Sequence, residues 1–274
     1  MIRIPRSVIP NSFTVFNMLA GYMSIVFSVN QKNFVWAAWM IGLAAVLDAL
    51  DGKVARITNS SSKFGVEYDS LADVVSFGVA PSVLIYQFYL IQVPHDIGLF
   101  VSFFPLLFGS IRLARFNVQL SGFSKTHFSG LPIPAAAITL GSYVLLVEKY
   151  FDGEAFPRIL LSITAIVSLL MVSNVRYEVF PKISFRGDVK QKIFISLLLV
   201  FGILIIMFPY MLILPTMIFY IGSGLVTSLF IKTTEVRKKR KDTKDTKDTK
   251  ERRSGQERRL HDDYYEMEDD DPEE

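Results

Sequence analysis

Residues 48–73 read DALDGKVARITNSSSKFGVEYDSLAD and carry four aspartates, Asp48, Asp51, Asp69 and Asp73. Asp48 and Asp51 are three apart and Asp69 and Asp73 four apart, so on helices each pair occupies one face. Two facing pairs of carboxylates offer hard oxygen ligands. With no cysteine in the chain and only three histidines, that donor set favours Mg²⁺ or Mn²⁺ over zinc. Two such ions about 3.5–4 Å apart are a recurring device for phosphoryl transfer. Spacing alone leaves two other readings open: the cation site of a transporter, and a salt-bridge network with Lys53, Arg56 and Lys63.

The elements around these acids are strongly apolar. The 274 residues are 51% hydrophobic and 13% aromatic, with a mean hydropathy of +0.36. That exceeds an ordinary soluble domain of this length and points to a polytopic membrane protein, an all-α helical bundle. A hydrocarbon core about 30 Å thick needs roughly 20 apolar residues in a helix. Spans are expected at 13–29, 34–52, 70–93, 97–116, 131–149, 158–175, 192–208 and 210–231, about eight in all. The last two are separated at Pro209, because the apolar run from Ile193 to Ile231 would be about twice the membrane thickness as one helix. The basic, apolar N-terminus has no small-residue cleavage site and reads as a retained first span.

Lysine and arginine set the orientation. With a cytoplasmic N-terminus, the inner loops hold thirteen of these residues and the outer loops only Lys32, Lys149 and Arg158. Both termini and the aspartate window then face the cytoplasm. Acidic side chains cost about 2.5–3.5 kcal/mol each at the bilayer centre and less near its edge. Helix dipoles are expected to favour Asp69 and Asp73 near a helix start and to disfavour Asp48 and Asp51 near a helix end. The second pair therefore needs a cation.

The chain divides into a membrane-embedded domain, 1–231, and a charged tail, 232–274. The tail holds 13 of the 29 Lys and Arg and 15 of the 26 Asp and Glu. Dense charge with little apolar content predicts disorder. The tail reads as a solvated segment with no essential role; the alternative, a basic half held against anionic lipid, is weakened because its acidic end, HDDYYEMEDDDPEE, would partly cancel that attraction.

The window also matches D-x2-D-G-x2-A-R-x8-G-x3-D-x3-D at all eight fixed positions. This resembles the signature of the CDP-alcohol phosphatidyltransferase family, integral membrane enzymes that make phospholipids. SLADVVSFGVAPS (70–82), IRLARFNV (111–118) and GLPIPAAA (130–137) are similar to its phosphatidylserine synthase branch of Gram-positive bacteria and archaea. IPNSFTVFN (9–17) resembles the family's first-span pattern. The similarity covers roughly residues 5–230.

The resemblance implies roles residue by residue. Asp48, Asp51, Asp69 and Asp73 would hold two divalent cations, Mg²⁺ or Mn²⁺, with Asp73 also acting as general base. Gly52 and Ala55 would let a cytidine nucleotide approach the helix backbone, Arg56 would pair with its phosphates, and Gly65 would leave room opposite. Asn11 and Thr14 would line the same pocket. The substrates implied are a CDP-linked lipid, diacyl or its archaeal equivalent, and L-serine, in a cell-membrane homodimer surrounded by lipid. No nucleic-acid partner is expected.

Arg112 and Arg115 lie three apart at the cytoplasmic end of the fourth span. They could hold the acceptor carboxylate or a substrate phosphate, or serve only as positive-inside anchors with snorkelling side chains. His127 reads as a loop residue rather than a ligand. Alternatives within the family use glycerol 3-phosphate or inositol phosphate as acceptor. A cation-coupled transporter would instead show inverted repeats and broken helices near the midplane, and the sequence has no internal repeat.

Overall fold

A computed structural model describes residues 8–58, 62–93, 96–120, 130–175, 177, 200–228 and 230. The chain forms two compact units, Met1–Leu225 and Val226–Glu274. The described part of the first consists of helices joined by short loops. Helix α1 runs Val8–Val26 and continues as a π-helical turn, Phe27–Gln31. Helix α2 is Phe34–Thr58. Helix α3 is one rod, Lys63–Phe88, interrupted by a π-helical turn at Val74–Val79. Helices α4 (Ile97–Leu120), α5 (Ile133–Tyr150) and α6 (Pro157–Val172) follow. Beyond them α7 spans 200–207 and α8 is Pro209–Ser228.

Five of these helices are long and apolar enough to cross a membrane: α1, α2, α3, α4 and α8. Helix α5 carries Glu148 and Lys149 in its last turn, and α6 has only 16 residues. The expected break at Pro209 is present. Phe208 alone separates α7 from α8; its N–H donates to the Leu204 carbonyl and its own carbonyl accepts from Leu212 N–H at 3.1 Å. Proline at the first position of a helix lacks an N–H that would be unpaired there anyway. Residues 192–199, the loop residue His127 and the tail from 231 lie outside the described residues.

Two of the helix boundaries that differ from the sequence expectation matter for the site. Helix α3 begins at Lys63 rather than 70, because Ser62 caps it by accepting from Gly65 N–H at 3.0 Å. Asp69 and Asp73 thus sit in the second and third turns. Helix α2 runs on to Thr58, two turns beyond Asp51. Macrodipole effects fade within one turn of a helix end. The dipole argument for the two pairs therefore fails; they lie inside helices, where a dipole neither helps nor hurts.

Small residues set the packing of α1, α2, α3 and α5 around the core of Ile41, Phe77, Leu84, Leu140 and Val144. The tightest approach is at Gly21. A Cβ there would lie 2.5 Å from Ser76 Oγ and 2.6 Å from Ser76 Cα, so α1 rests directly on the π-helical turn of α3. At Gly130, φ is +97° and a Cβ would strike the Met171 carbonyl. Only glycine satisfies both constraints, and its N–H donates to Val175 O at 2.8 Å, tying the start of α5 to the end of α6.

Candidate active site

Helices α2 and α3 deliver the acids, and α1 supplies their neutral partners. Oxygens of Asp48, Asp51 and Asp69 all lie within 4.8 Å of one another. Asp51 and Asp73 are buried, at 6% and 8% exposure, while Asp48 and Asp69 are half-buried. Thr14 Oγ1 donates to Asp51 Oδ2 at 3.0 Å, and Asn17 Nδ2 donates to Asp73 Oδ1 at 3.2 Å. Asp69 Oδ1 is buried and accepts no hydrogen bond.

The nearby cations do not neutralise this cluster. Lys53 and Lys63 are exposed. The exposed Arg56 turns its Nε back to the Gly52 carbonyl at 2.9 Å, on its own helix. Among the described residues no lysine or arginine forms an ion pair with any of the four aspartates. Among the described residues, a salt-bridge network with Lys53, Arg56 or Lys63 is therefore not what holds them. Three converging carboxylates, one with an orphaned buried oxygen, are a donor set that fits a hard divalent cation.

The glycines expected to flank a nucleotide differ in their surroundings. A Cβ at Gly52 would meet nothing within 4 Å, so that stretch of α2 is open. A Cβ at Gly65 would lie 3.2 Å from Ser62 Oγ and 3.4 Å from Asn11 Oδ1, which brings Asn11 of α1 beside the first turn of α3. Ala55 lies on α2 one turn before Thr58.

The two arginines separate. The exposed Arg115 donates from Nη1 to the Val172 carbonyl at 3.1 Å, closing the C-terminus of α6. Arg112 points inward, where its Nε is buried without a hydrogen-bond partner. It interacts electrostatically with Asp73 and with Tyr220 of α8. Tyr220 in turn packs against Tyr177, ring centroids 5.6 Å apart, and the Tyr177 hydroxyl is also buried and unpartnered.

Two contacts at or beside the aspartate cluster escaped the sequence reading. Asn17 is one; Asn11, Thr14 and Asn17 recur every three residues along a largely apolar α1, and that polar stripe was the available signal. The other links α3 to α4. Asn117 Nδ2 donates to Glu67 Oε2 at 3.1 Å, and Ser70 Oγ lies 3.2 Å from Asn117 Oδ1, to which it donates.

Residues 7–173 match the CDP-alcohol phosphatidyltransferase family, and that segment contains every aspartate and both arginines just described. The chain belongs to this family. It is 42% identical over 229 residues to a CDP-diacylglycerol–serine O-phosphatidyltransferase of Helicobacter pylori, covering 83% of this chain and 93% of that protein. A protein of the same name from Mycobacterium leprae is 33% identical over 221 residues, 78% of this chain and 72% of the relative. An archaetidylserine synthase of Methanothermobacter thermautotrophicus is 38% identical over 182 residues, 65% and 72% of the two chains.

Proposed function

We propose that the protein is a phosphatidylserine synthase, transferring the phosphatidyl group of a CDP-linked lipid to the hydroxyl of L-serine with release of CMP. The observation that carries this reading is the convergence of Asp48, Asp51 and Asp69 oxygens within 4.8 Å, inside a segment that matches the family. The names of the similar proteins agree on serine and differ in the lipid half of the product.

The serine oxygen forms a bond to the lipid-bearing phosphorus, the bond from that phosphorus to the CMP oxygen breaks, and the hydroxyl proton passes to Asp73. Asp48, Asp51 and Asp69, with Asp73 at their inner edge, would hold two divalent cations, Mg²⁺ or Mn²⁺. When bound, these neutralise charge on the diphosphate as it shifts to the leaving group. Thr14 and Asn17 hold two of the carboxylates in place. Open backbone at Gly52 admits the nucleotide, with Asn11 and Gly65 on the opposite wall. Arg56 would swing from the Gly52 carbonyl to the substrate phosphates, and Arg112 would hold the serine carboxylate.

The same reading places the site at the cytoplasmic face of the cell membrane, with both termini inside. There soluble serine and CMP meet a lipid whose chains stay in the bilayer. It assigns catalysis to a membrane domain at 1–231, working as a homodimer, and none to the tail at 232–274. Purified protein should release CMP from CDP-diacylglycerol with Mn²⁺ and serine. Release with glycerol 3-phosphate or inositol phosphate and not serine would move it to another branch; no release with any acceptor would refute the enzyme.

A further inference from the structure

We infer that Asn17 is a positioning residue that fixes the orientation of the Asp73 carboxylate, leaving one of its oxygens free for the reacting groups. The inference rests on the proposed roles of Asp73 and deepens them.

Four observations converge on Asn17. Its side chain has no solvent exposure in the middle of a membrane-type helix. Its Nδ2 donates to Asp73 Oδ1 at 3.2 Å, a contact spanning 56 residues of sequence. Its backbone carbonyl accepts from Ser76 Oγ at 2.9 Å, so one residue of α1 is gripped on both sides of the Asp73 turn. Gly21, one turn further along α1, sits against Ser76 with no room for a side chain. Together these fix the register of α1 on α3 beside Asp73, and the other end of the amide, Asn17 Oδ1, is buried without a partner.

Chemistry explains the choice of an amide. A buried carboxylate needs a donor, and burying one without a partner is costly. A lysine or arginine would supply a donor together with a positive charge, which would compete with a divalent cation for the same oxygens. An asparagine holds one carboxylate oxygen and adds no net charge. Thr14 does the same for Asp51 one turn earlier on the same face of α1. Helix α1 thus presents one neutral donor to an aspartate of α2 and another to an aspartate of α3. Orienting the partners of metal-binding carboxylates in this way is a common role of outer contacts, and losing one costs about 10–100-fold in affinity or activity.

The test compares wild-type protein in lipid nanodiscs with Asn17→Leu, which keeps volume and removes the donor, and Asn17→Asp, which keeps shape and replaces the donor. Turnover is measured at saturating Mn²⁺, and Mn²⁺ binding is titrated by electron paramagnetic resonance without substrate. The expected result is a fall in kcat of about tenfold or more with KM for CDP-lipid and serine held within about twofold, and a several-fold weaker Mn²⁺ affinity. Asn17→Asp should fold, and lose at least as much. Wild-type kcat and Mn²⁺ affinity in either folded variant would overturn the inference. So would a loss carried entirely by KM, which would make Asn17 a substrate contact. If the wild type releases no CMP, the functional reading falls, and the Mn²⁺ titration still reports whether Asn17 orders the carboxylates.

Discussion

Thr14 and Asp51 are 37 residues apart in the chain and 3.0 Å apart in space, a hydroxyl of α1 held against a carboxylate of α2. Thr14 is itself buried at 4% exposure. A hydrogen bond to a charged group contributes about 1.5–3 kcal/mol, which corresponds to about 10–100-fold in an equilibrium or rate constant. Thr14→Val preserves shape and removes the donor. It should reduce kcat/KM by about tenfold or more, while Thr14→Ser, which keeps the hydroxyl, should retain most activity. CMP release measured across a Mn²⁺ series would check both, and equal activity of the two variants would remove Thr14 from the site.

Gly52 and Gly21 make opposite predictions. Nothing lies within 4 Å of a Cβ at Gly52, whereas one at Gly21 would sit 2.6 Å from the Ser76 Cα. Gly52→Leu should leave thermal unfolding unchanged and raise the KM for CDP-lipid, because the added side chain would fill space assigned to the nucleotide. Gly21→Ala should lower the unfolding temperature and extraction yield, because helix backbones would have to separate. A stability loss at Gly52 with KM intact would contradict the nucleotide assignment.

Removing divalent cations should stop turnover and also alter stability. The carboxylates of Asp48, Asp51 and Asp69 repel one another at close range, and among the described residues no basic side chain offsets them. Chelation should therefore abolish CMP release, and adding Mn²⁺ should raise the unfolding temperature in proportion to the logarithm of its concentration. Asp69→Asn relieves part of the repulsion. It should be inactive yet less sensitive to chelation than the wild type, a combination that a purely structural acid would not give.

The four acids, their membrane setting and their family signature were legible in the sequence because each is local: charge, hydropathy and spacing are properties of one segment. Asn17 and Asn117 were not singled out. Each acts through a partner 50 or more residues away, Asp73 for Asn17 and Glu67 for Asn117, and nothing within a single helix marks which polar residue will meet which. The dipole argument failed for a related reason. Hydropathy locates the apolar centre of a helix, and the polar turns from Lys63 and up to Thr58 extend α3 and α2 past that centre.

Asn117 bridges Glu67 and Ser70 and so ties the aspartate-bearing stretch of α3 to α4, the helix that carries Arg112. Asn117→Leu should lower stability by about 1 kcal/mol, because the exposed Glu67 loses one donor while the Ser70 hydroxyl keeps its bond to the Val66 carbonyl. It should also raise serine KM if Arg112 contacts the acceptor, because the two helices would no longer share a fixed register. Unfolding in detergent and serine titration would separate the two effects.

Arg112 and Arg115, indistinguishable by spacing, should respond differently to the same conservative change. Arg115 is exposed and its guanidinium caps the Val172 carbonyl, a role that lysine can largely fill as a flexible donor near a helix end. Arg112 buries an Nε without a partner and interacts electrostatically with Asp73. A buried Nε–H without an acceptor is costly in the free protein, and an incoming carboxylate would relieve that cost with a paired hydrogen bond that lysine cannot reproduce. Arg115→Lys should thus keep serine KM within about twofold, and Arg112→Lys should raise it by about tenfold or more with CDP-lipid KM little changed. If the larger change falls on CDP-lipid, Arg112 holds a lipid phosphate instead. If Arg115→Lys shows the serine effect, the inward guanidinium is a structural group and the acceptor site lies on the exposed face of α4.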